Sequence, residues 1–275
     1  MSITVSHLFV YPLKSAAAVS VASAQVAARG LARDRRWMVI QPDGRFLTGR
    51  RYPMLTQIQA VLGPDGLQLR GLDGSVQPVA RPPEDGPQRS VTVWGDQVAG
   101  HLADSSASAW LSAQLGVDCR LVYMADQTLR PVDPDYAAPG DVVSFADGFP
   151  LLLTTDGSLA DLNQRLGAPV GMGRFRPNIV LSGVPAYAED GWTAIRVGGV
   201  ALDVVKPCAR CVFTTVDPQT GAPDPVREPL RTLATYRRAD GGVMFGQNLT
   251  VRRPGRIAVG DPVEVVTGTS APPAC

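Results

Sequence analysis

Lysine is nearly missing from this chain. Of its 26 basic residues 24 are arginine, which leaves only Lys14 and Lys206. Cysteine is scarce as well, with four in 275 residues and one of them the last. That is too few and too scattered for the disulfide framework of a small secreted domain. No stretch approaches the ~20 apolar residues of a membrane-spanning helix. The opening MSITVSHLFVYPLKS has neither the basic start nor the apolar run of a signal peptide. Charge of one sign is also lacking: 26 basic against 25 acidic residues give a net charge of +1, so no electrostatic feature favours nucleic acid or an anionic membrane as partner. The chain carries no G-x-G-x-x-G or Walker loop, which argues against nucleotide use. The expected setting is cytoplasmic, without nucleic-acid or membrane partners.

What is present reads as β-rich. The length suffices for one large domain or two modest ones. RRWMVIQPDGRFLT and IQAVLGPDGLQLRG each set Pro-Asp-Gly between apolar runs, which is hairpin chemistry. SVTVWGDQVAGHLAD continues in the same style. Helical spacing occurs in SSASAWLSAQLG, in DGSLADLNQRLG, where Asp or Ser could cap the start and Gly167 the end, and in EPLRTLATYRR. The expectation is a mainly β, α+β protein with few helices, not an alternating βαβ chain. The proline-rich stretch 129–140 is the best boundary or active-site loop.

Two of the cysteines stand in VVKPCARCVFTTVDPQTG as Cys208 and Cys211. A structural zinc site needs four ligands, and the remaining candidates, Cys119, His7, His101 and Cys275, show no paired spacing. A thioredoxin-like redox pair would open a helix whose dipole lowers the thiol pKa, whereas CVFTTV reads as a strand. Two buried structural cysteines remain open. So does a single working thiolate, near Lys206 and Arg210, as a soft ligand for a soft metal. The surviving lysines draw notice because an ammonium is a compact charge and a guanidinium a planar fork.

KPCARCVFTTVDPQTG resembles the core motif of MOSC-domain proteins that carry an added N-terminal β-barrel domain, the group of the mitochondrial amidoxime reducing component and its bacterial relatives. The motifs YPLKS (11–15), RDRRWMV (33–39), SLADLNQRL (158–166), FRPNIVLSG (175–183), YAEDGW (187–192), EPLRTLATYR (228–237), FGQNL (245–249) and VGDPVEVV (259–266) follow in the family's order, so the resemblance spans nearly the whole chain.

The resemblance implies an N-terminal β-barrel-like domain over 1–121 packed on a C-terminal MOSC β-barrel domain over 122–268, with a tail at 269–275. It implies a molybdenum-molybdopterin (Mo-MPT) cofactor whose dithiolene is joined by one protein thiolate. By motif position this is Cys211, as metal ligand and catalytic residue, with Cys208 a neighbour that does not bind metal. Lys14, Ser15, Arg35, Arg176 and Asn178 match positions that hold the pterin and its phosphate. Ala209 and Arg210 lie against the cofactor, and Gly148 and Phe149 match another contacting stretch. Asn248 stands where some relatives have an aromatic hydroxyl, and Ala209 where Ser is common. Pyridoxal phosphate binding is a lesser implication.

The implied activity is reduction of N-hydroxylated substrates (amidoximes, hydroxylamines, N-hydroxylated bases) by oxygen abstraction at molybdenum. A cofactor carrier or sulfur-transfer protein with a persulfide on Cys211 is the alternative. With too few suitably placed cysteines for a [2Fe–2S] cluster, the implied electron donor is a separate ferredoxin, flavodoxin or cytochrome. Outside the family motifs, Asp217 reads as a turn former, Trp37 and Trp192 as core aromatics, and His7 and His101 as uninvolved.

Overall fold

The computed structural model describes residues 2–239 and 241–267, so the tail 269–275 and Cys275 lie outside the described residues. Among the described residues there are nineteen strands and three α-helices. The expected mainly β, α+β class is what the chain adopts.

The largest sheet has nine strands. Its path runs from Val263–Thr267 through Trp192–Val197, Val200–Arg210, Gly242–Arg253, Leu151–Thr155 and Ile179–Ser182 to Thr4–Val10 and Val19–Ser20, with Arg238–Ala239 paired onto Gly242–Arg253. Only Leu151–Thr155 and Ile179–Ser182 pair in parallel, because the helix Asp156–Arg165 carries the chain between them. The sheet curls back on itself. Val5 N–H donates to Asp261 O, Val263 N–H to Ile3 O, and Thr4 bridges Pro262, which brings the first strand against the segment leading into the last. The enclosed core is aliphatic, with Val5, Leu8, Leu153, Ile179, Leu181, Ile195, Leu202 and Leu249 all at 1% exposure or less. Leu31 and Val26 pack into the same core, so the first thirty residues serve the sheet built by the C-terminal half.

The rest of the N-terminal half forms a four-stranded sheet (Trp37–Ile40, Arg120–Tyr123, Asp96–Leu102, Gln88–Val93), a three-stranded meander (Gln59–Gly63, Gly66–Arg70, Val76–Ala80) and a three-stranded sheet in which Ser23–Ala27 pairs with Gly255–Ala258. The helix Ser105–Leu115 closes one side. It is capped by the Asp104 side chain accepting from Ser106 N–H and stopped by Gly116 in the left-handed region.

The second Pro-Asp-Gly motif makes the expected hairpin, with Gly63 opposite Gly66 and Pro64-Asp65 as its loop. The first makes only a tight turn, Gln41 N–H to Arg45 O, and a single bridge between Ile40 and Phe46. Phe46 is drawn instead into the core around Met38 and Phe145. The helix at 156–165 is capped by Thr155, not by the Asp or Ser expected, and ends at an extended Leu166 before Gly167 is reached. Thr155 wins because it closes the preceding strand in extended backbone, the conformation an N-cap requires.

CVFTTV is not a strand. Val200–Arg210 ends just before Cys211, and Val212–Thr215 is a single 3-10 turn whose start is braced by Cys211 O accepting from Thr214 N–H and Oγ1. Local bonding by the threonine hydroxyls here overrides β-propensity. Trp37 and Trp192 are buried, as core aromatics should be.

Candidate functional site

The strand Val200–Arg210 is long and irregular. Its register against Gly242–Arg253 shifts between Val204 and Lys206 and again between Pro207 and Ala209. Such bulges let a proline sit inside a sheet and re-aim the residues that follow. They turn Ala209, Arg210 and Cys211 into an open cleft of about 970 Å³, counting the solvent at its mouth. All eleven residues singled out from the sequence line this one cleft: Lys14, Ser15, Arg35, Gly148, Phe149, Arg176, Asn178, Ala209, Arg210, Cys211 and Asn248. They come from six separate segments, and only the fold brings them together.

The cationic wall is built on Tyr11. Its ring is fully buried and carries two guanidinium groups, Arg35 and Arg176, each 4.2 Å from the ring centroid. Its hydroxyl donates to Pro177 O at 3.1 Å. Burial pushes the Tyr11 phenol up to about 12, against the pull of the two arginines. Burial also brings Arg176 down to about 10, which leaves it cationic at neutral pH. Asp34, buried beside them, accepts from Tyr11 N–H at 2.8 Å and pairs with Arg35. Burial raises its carboxyl while Arg35 opposes.

Asn178 is a holder of Arg35. Its Oδ1 accepts from Arg35 Nη1 at 3.0 Å and from Leu152 N–H at 3.2 Å, and its Nδ2 donates to Phe9 O at 3.2 Å. Arg176 is anchored through Ala16 O at 2.7 Å, and Ser15 Oγ accepts from Gly49 N–H at 3.2 Å.

Lys14 is buried, and its ammonium is committed. Nζ donates to Phe145 O at 2.7 Å and to Asp147 Oδ1 at 2.6 Å. Burial lowers its pKa and Asp147 works against that fall. Lys14 therefore fixes the loop that presents Gly148 and Phe149. Arg130 fixes the same loop from behind, donating to the carbonyls of Ser144, Ala146 and Asp147. Arg130 lies in the proline-rich stretch 129–140, which braces the cleft and contributes no lining residue. Lys206 sits over the Tyr136 ring at 3.8 Å, outside the lining. Neither lysine thus offers a free amine in the cleft, the group a pyridoxal phosphate aldehyde would need.

The two cysteines differ. Cys208 Sγ receives Arg210 Nη1 at 2.9 Å. Cys211 has no hydrogen bond on its sulfur among the described residues, and both cysteines are free thiols. Arg210 Nη2 donates to Phe175 O at 2.6 Å, while its Nε is buried and has no partner. A buried unpaired donor is costly unless something fills the space beside it.

Sequence reasoning missed several lining residues. Arg50 stacks on the half-exposed Trp94 at 4.5 Å, and Trp94 Nε1 reaches Asp147 at 3.2 Å. Arg174 pairs with Asp217 at 3.4 Å. Asp217 also accepts from Gln219 N–H at 2.8 Å, as a turn former does. The arginine run GRRY after Thr48 was the available signal for Arg50; nothing in the sequence marks Trp94.

The fit of an anionic cofactor can be judged from charge. Six cations (Lys14, Arg35, Arg50, Arg174, Arg176, Arg210) and one carboxylate, Asp147, line the cleft. An orphaned Arg210 Nε and a free thiol complete it. No group of three or more His, Cys, Asp or Glu among the described residues could hold a metal, so a metal held by Cys211 would bring its other ligands with it. A phosphate-bearing, sulfur-donating organic cofactor fits this donor set.

Comparison with known proteins gives the same direction. The MOSC domain description matches residues 140–264, and the MOSC N-terminal beta barrel domain matches residues 2–118. Mitochondrial amidoxime-reducing component 1 of Mus musculus is 38% identical, over 94% of this chain and 81% of that protein. The Homo sapiens protein of the same name is 37% identical, over 94% and 82%. Mitochondrial amidoxime reducing component 2 of Bos taurus is 35% identical, over 94% and 82%. These names correct the cytoplasmic expectation: it rested on missing signals alone, and the relatives are mitochondrial by name. As for membranes, no helix among the described residues is long and apolar enough to cross one. By both domain matches and by these relatives, the chain belongs to the MOSC family, in the group that carries the MOSC N-terminal beta barrel domain.

Proposed function

We propose that this protein is a molybdenum-cofactor-dependent reductase of N-hydroxylated compounds, amidoximes and hydroxylamines among them. The relatives' names favour an N-reductive role in general. The observation that carries the finer reading is the cleft itself: a free Cys211 thiol among six cations with one carboxylate.

When bound, molybdenum-molybdopterin supplies oxygen-atom abstraction from nitrogen and the two-electron change that goes with it. The chain's residues bind and orient. Cys211 is the thiolate ligand, its backbone locked by Thr214. Arg35 and Arg176 are charged forks for the phosphate, pre-set by Tyr11, Asp34 and Asn178. Arg210 Nε offers the remaining unpaired donor, with Ala209 and Asn248 beside it. Ser15, Gly148 and Phe149 shape the walls, and Lys14 holds the loop carrying the last two in place. Arg50 and Trp94, at the half-exposed rim, would meet a substrate first. Electrons would come from a separate carrier protein, a ferredoxin, flavodoxin or cytochrome.

We further propose 1–121 and 122–268 as the two units of descent, although their strands share one core. The deciding experiment is metal analysis of protein purified from a host that makes molybdopterin, followed by benzamidoxime reduction with an artificial electron donor. Near-stoichiometric molybdenum with turnover is expected. Metal-free protein carrying a persulfide on Cys211 would replace this reading with sulfur transfer.

A further inference from the structure

A second cleft lies on the other side of the loop Arg29–Arg36. It is lined by Arg29, Arg33, Arg36 and Arg81 over a floor that includes Trp37 and Tyr123. The loop divides its arginines: Arg35 lines the first cleft, and Arg29, Arg33 and Arg36 line the second. Arg33 takes up a left-handed backbone, φ 70°, to do so.

Three of the four forks are tied to backbone carbonyls. Arg29 donates to Ala125 O and Asp126 O at 3.3 and 2.8 Å, and Arg33 to Gly63 O and Pro64 O at 2.7 and 3.3 Å. Arg36 donates through Nε to Met124 O at 2.9 Å. Carbonyls fix the direction of a guanidinium without cancelling its charge. The carboxylates lining the cleft, apart from Asp34, which is taken by Arg35, are Asp65 and Asp126. Among the described residues only Asp126 forms an ion pair here, with Arg36 at 2.7 Å. Four cations thus face two carboxylates, and the excess is about two positive charges at neutral pH. Arg29 is held below the ordinary arginine range first by burial and then by the charge of Arg36, with Asp126 opposing in part.

We infer that this cleft is a second binding site, for a small molecule that carries a phosphate monoester on an apolar body. The charge excess matches the −1.5 to −2 of such a group near pH 7 (roughly, as for phosphorylated side chains). Arginine forks engage phosphate oxygens in bidentate fashion, and Leu31, Leu62 and Trp37 offer the apolar floor. Binding here does not depend on what fills the first cleft.

The test is isothermal titration of the whole protein with phenyl phosphate, inorganic phosphate and benzoate at constant ionic strength. Phenyl phosphate is expected to bind saturably and at least tenfold more tightly than benzoate, which has the same body and one charge. Arg81→Gln and Arg29→Gln together should weaken it tenfold or more, while Arg176→Gln, which removes any binding to the first cleft, leaves the event lost in that double variant unchanged. Arg81 is exposed, so Arg81→Gln alone, expected to weaken binding about threefold, guards against misfolding of the double variant. Inorganic phosphate binding as tightly as phenyl phosphate, and lost in the same variants, would keep the site and make free phosphate its ligand. No saturable binding, or binding lost in Arg176→Gln but kept in the Arg29 and Arg81 variants, overturns the inference.

Discussion

Tyr11 is the residue on which the cationic wall depends, and its replacement gives two separable outcomes. Tyr11→Phe keeps the ring under both guanidinium groups and loses only the hydroxyl bond to Pro177 O. Leaving one buried carbonyl short of a donor costs about 1–3 kcal/mol. Tyr11→Leu removes the ring itself. Each desolvated cation–π contact is worth up to about 2 kcal/mol, and Arg35 and Arg176 make one each at 4.2 Å. Arg35 would keep Asp34 and Asn178, and Arg176 would keep Ala16 O, so about half of the ~4 kcal/mol should surface as lost placement of the forks. A loss of ~2 kcal/mol from cofactor binding is a roughly thirtyfold weaker affinity. The assay is molybdopterin content by fluorescence after oxidation, run beside urea denaturation. Tyr11→Phe should be less stable yet near parental in cofactor content; Tyr11→Leu should lose content well beyond its loss of stability. Parental content in Tyr11→Leu, or equal loss in both variants, would refute the view that the ring sets the arginines.

Cys211→Ser should abolish molybdenum-dependent turnover, since a hydroxyl is a poor soft ligand, whereas Cys208→Ser should keep most of it; equal loss in molybdenum content and rate from both would end the single-ligand assignment. Lys14→Arg keeps the charge but must fit a larger planar head where Nζ already touches Phe145 O and Asp147, and overpacking of this kind costs about 1–3 kcal/mol, read as a lower urea midpoint. Glu189 is fully buried, held by Ser158 and Thr155 hydroxyls at 2.7 and 3.2 Å, and burial raises its carboxyl pKa. The native state then keeps this proton to a higher pH than the unfolded chain, so its contribution to stability falls as pH rises from the unfolded value through the raised one. Within that window Glu189→Gln should gain on the parent by up to about 1.4 kcal/mol per pH unit and then hold its lead; a constant difference across pH 4–8 in urea titrations would contradict the burial argument.

Class, helices and site membership were legible in the chain for different reasons. The helix Ser105–Leu115 announced itself through the helical spacing of SSASAWLSAQLG, ended by Gly116, a signal that works locally. The residues that line the first cleft were picked out through ordered motifs, which preserve chemistry without geometry. Roles were harder to read. The family resemblance assigns Asn178 and Lys14 to holding a cofactor, yet the structure spends their polar groups on Arg35 and on Phe145 and Asp147. They position Arg35 and the loop that carries Gly148 and Phe149. No sequence rule could show this, because the partners lie 131 to 143 residues away. CVFTTV failed for the opposite reason: its β-propensity was real, but a hydroxyl bond three residues back decided the conformation.

Backbone strain ties these observations together. Among the described residues seven that are not glycine have positive φ: Ser15, Arg33, Arg35, Trp94, Arg176, Tyr187 and Arg227. Four of these seven line the first cleft and a fifth, Arg33, lines the second. Such residues cost on the order of 1–3 kcal/mol each and persist only where the surroundings over-determine them. Here the surroundings do: Arg35 N–H donates to Tyr11 O at 2.7 Å while its side chain is held by Asp34 and Asn178. An arginine in relaxed backbone would be free to swing toward water. Held left-handed, Arg35 and Arg176 stay half-buried and stacked on Tyr11, an arrangement that favours an anion between them over any rearrangement of the wall. The loop Arg29–Arg36 thus carries one strained arginine for each cleft, Arg35 for the first and Arg33 for the second, and relaxing its backbone would loosen both walls.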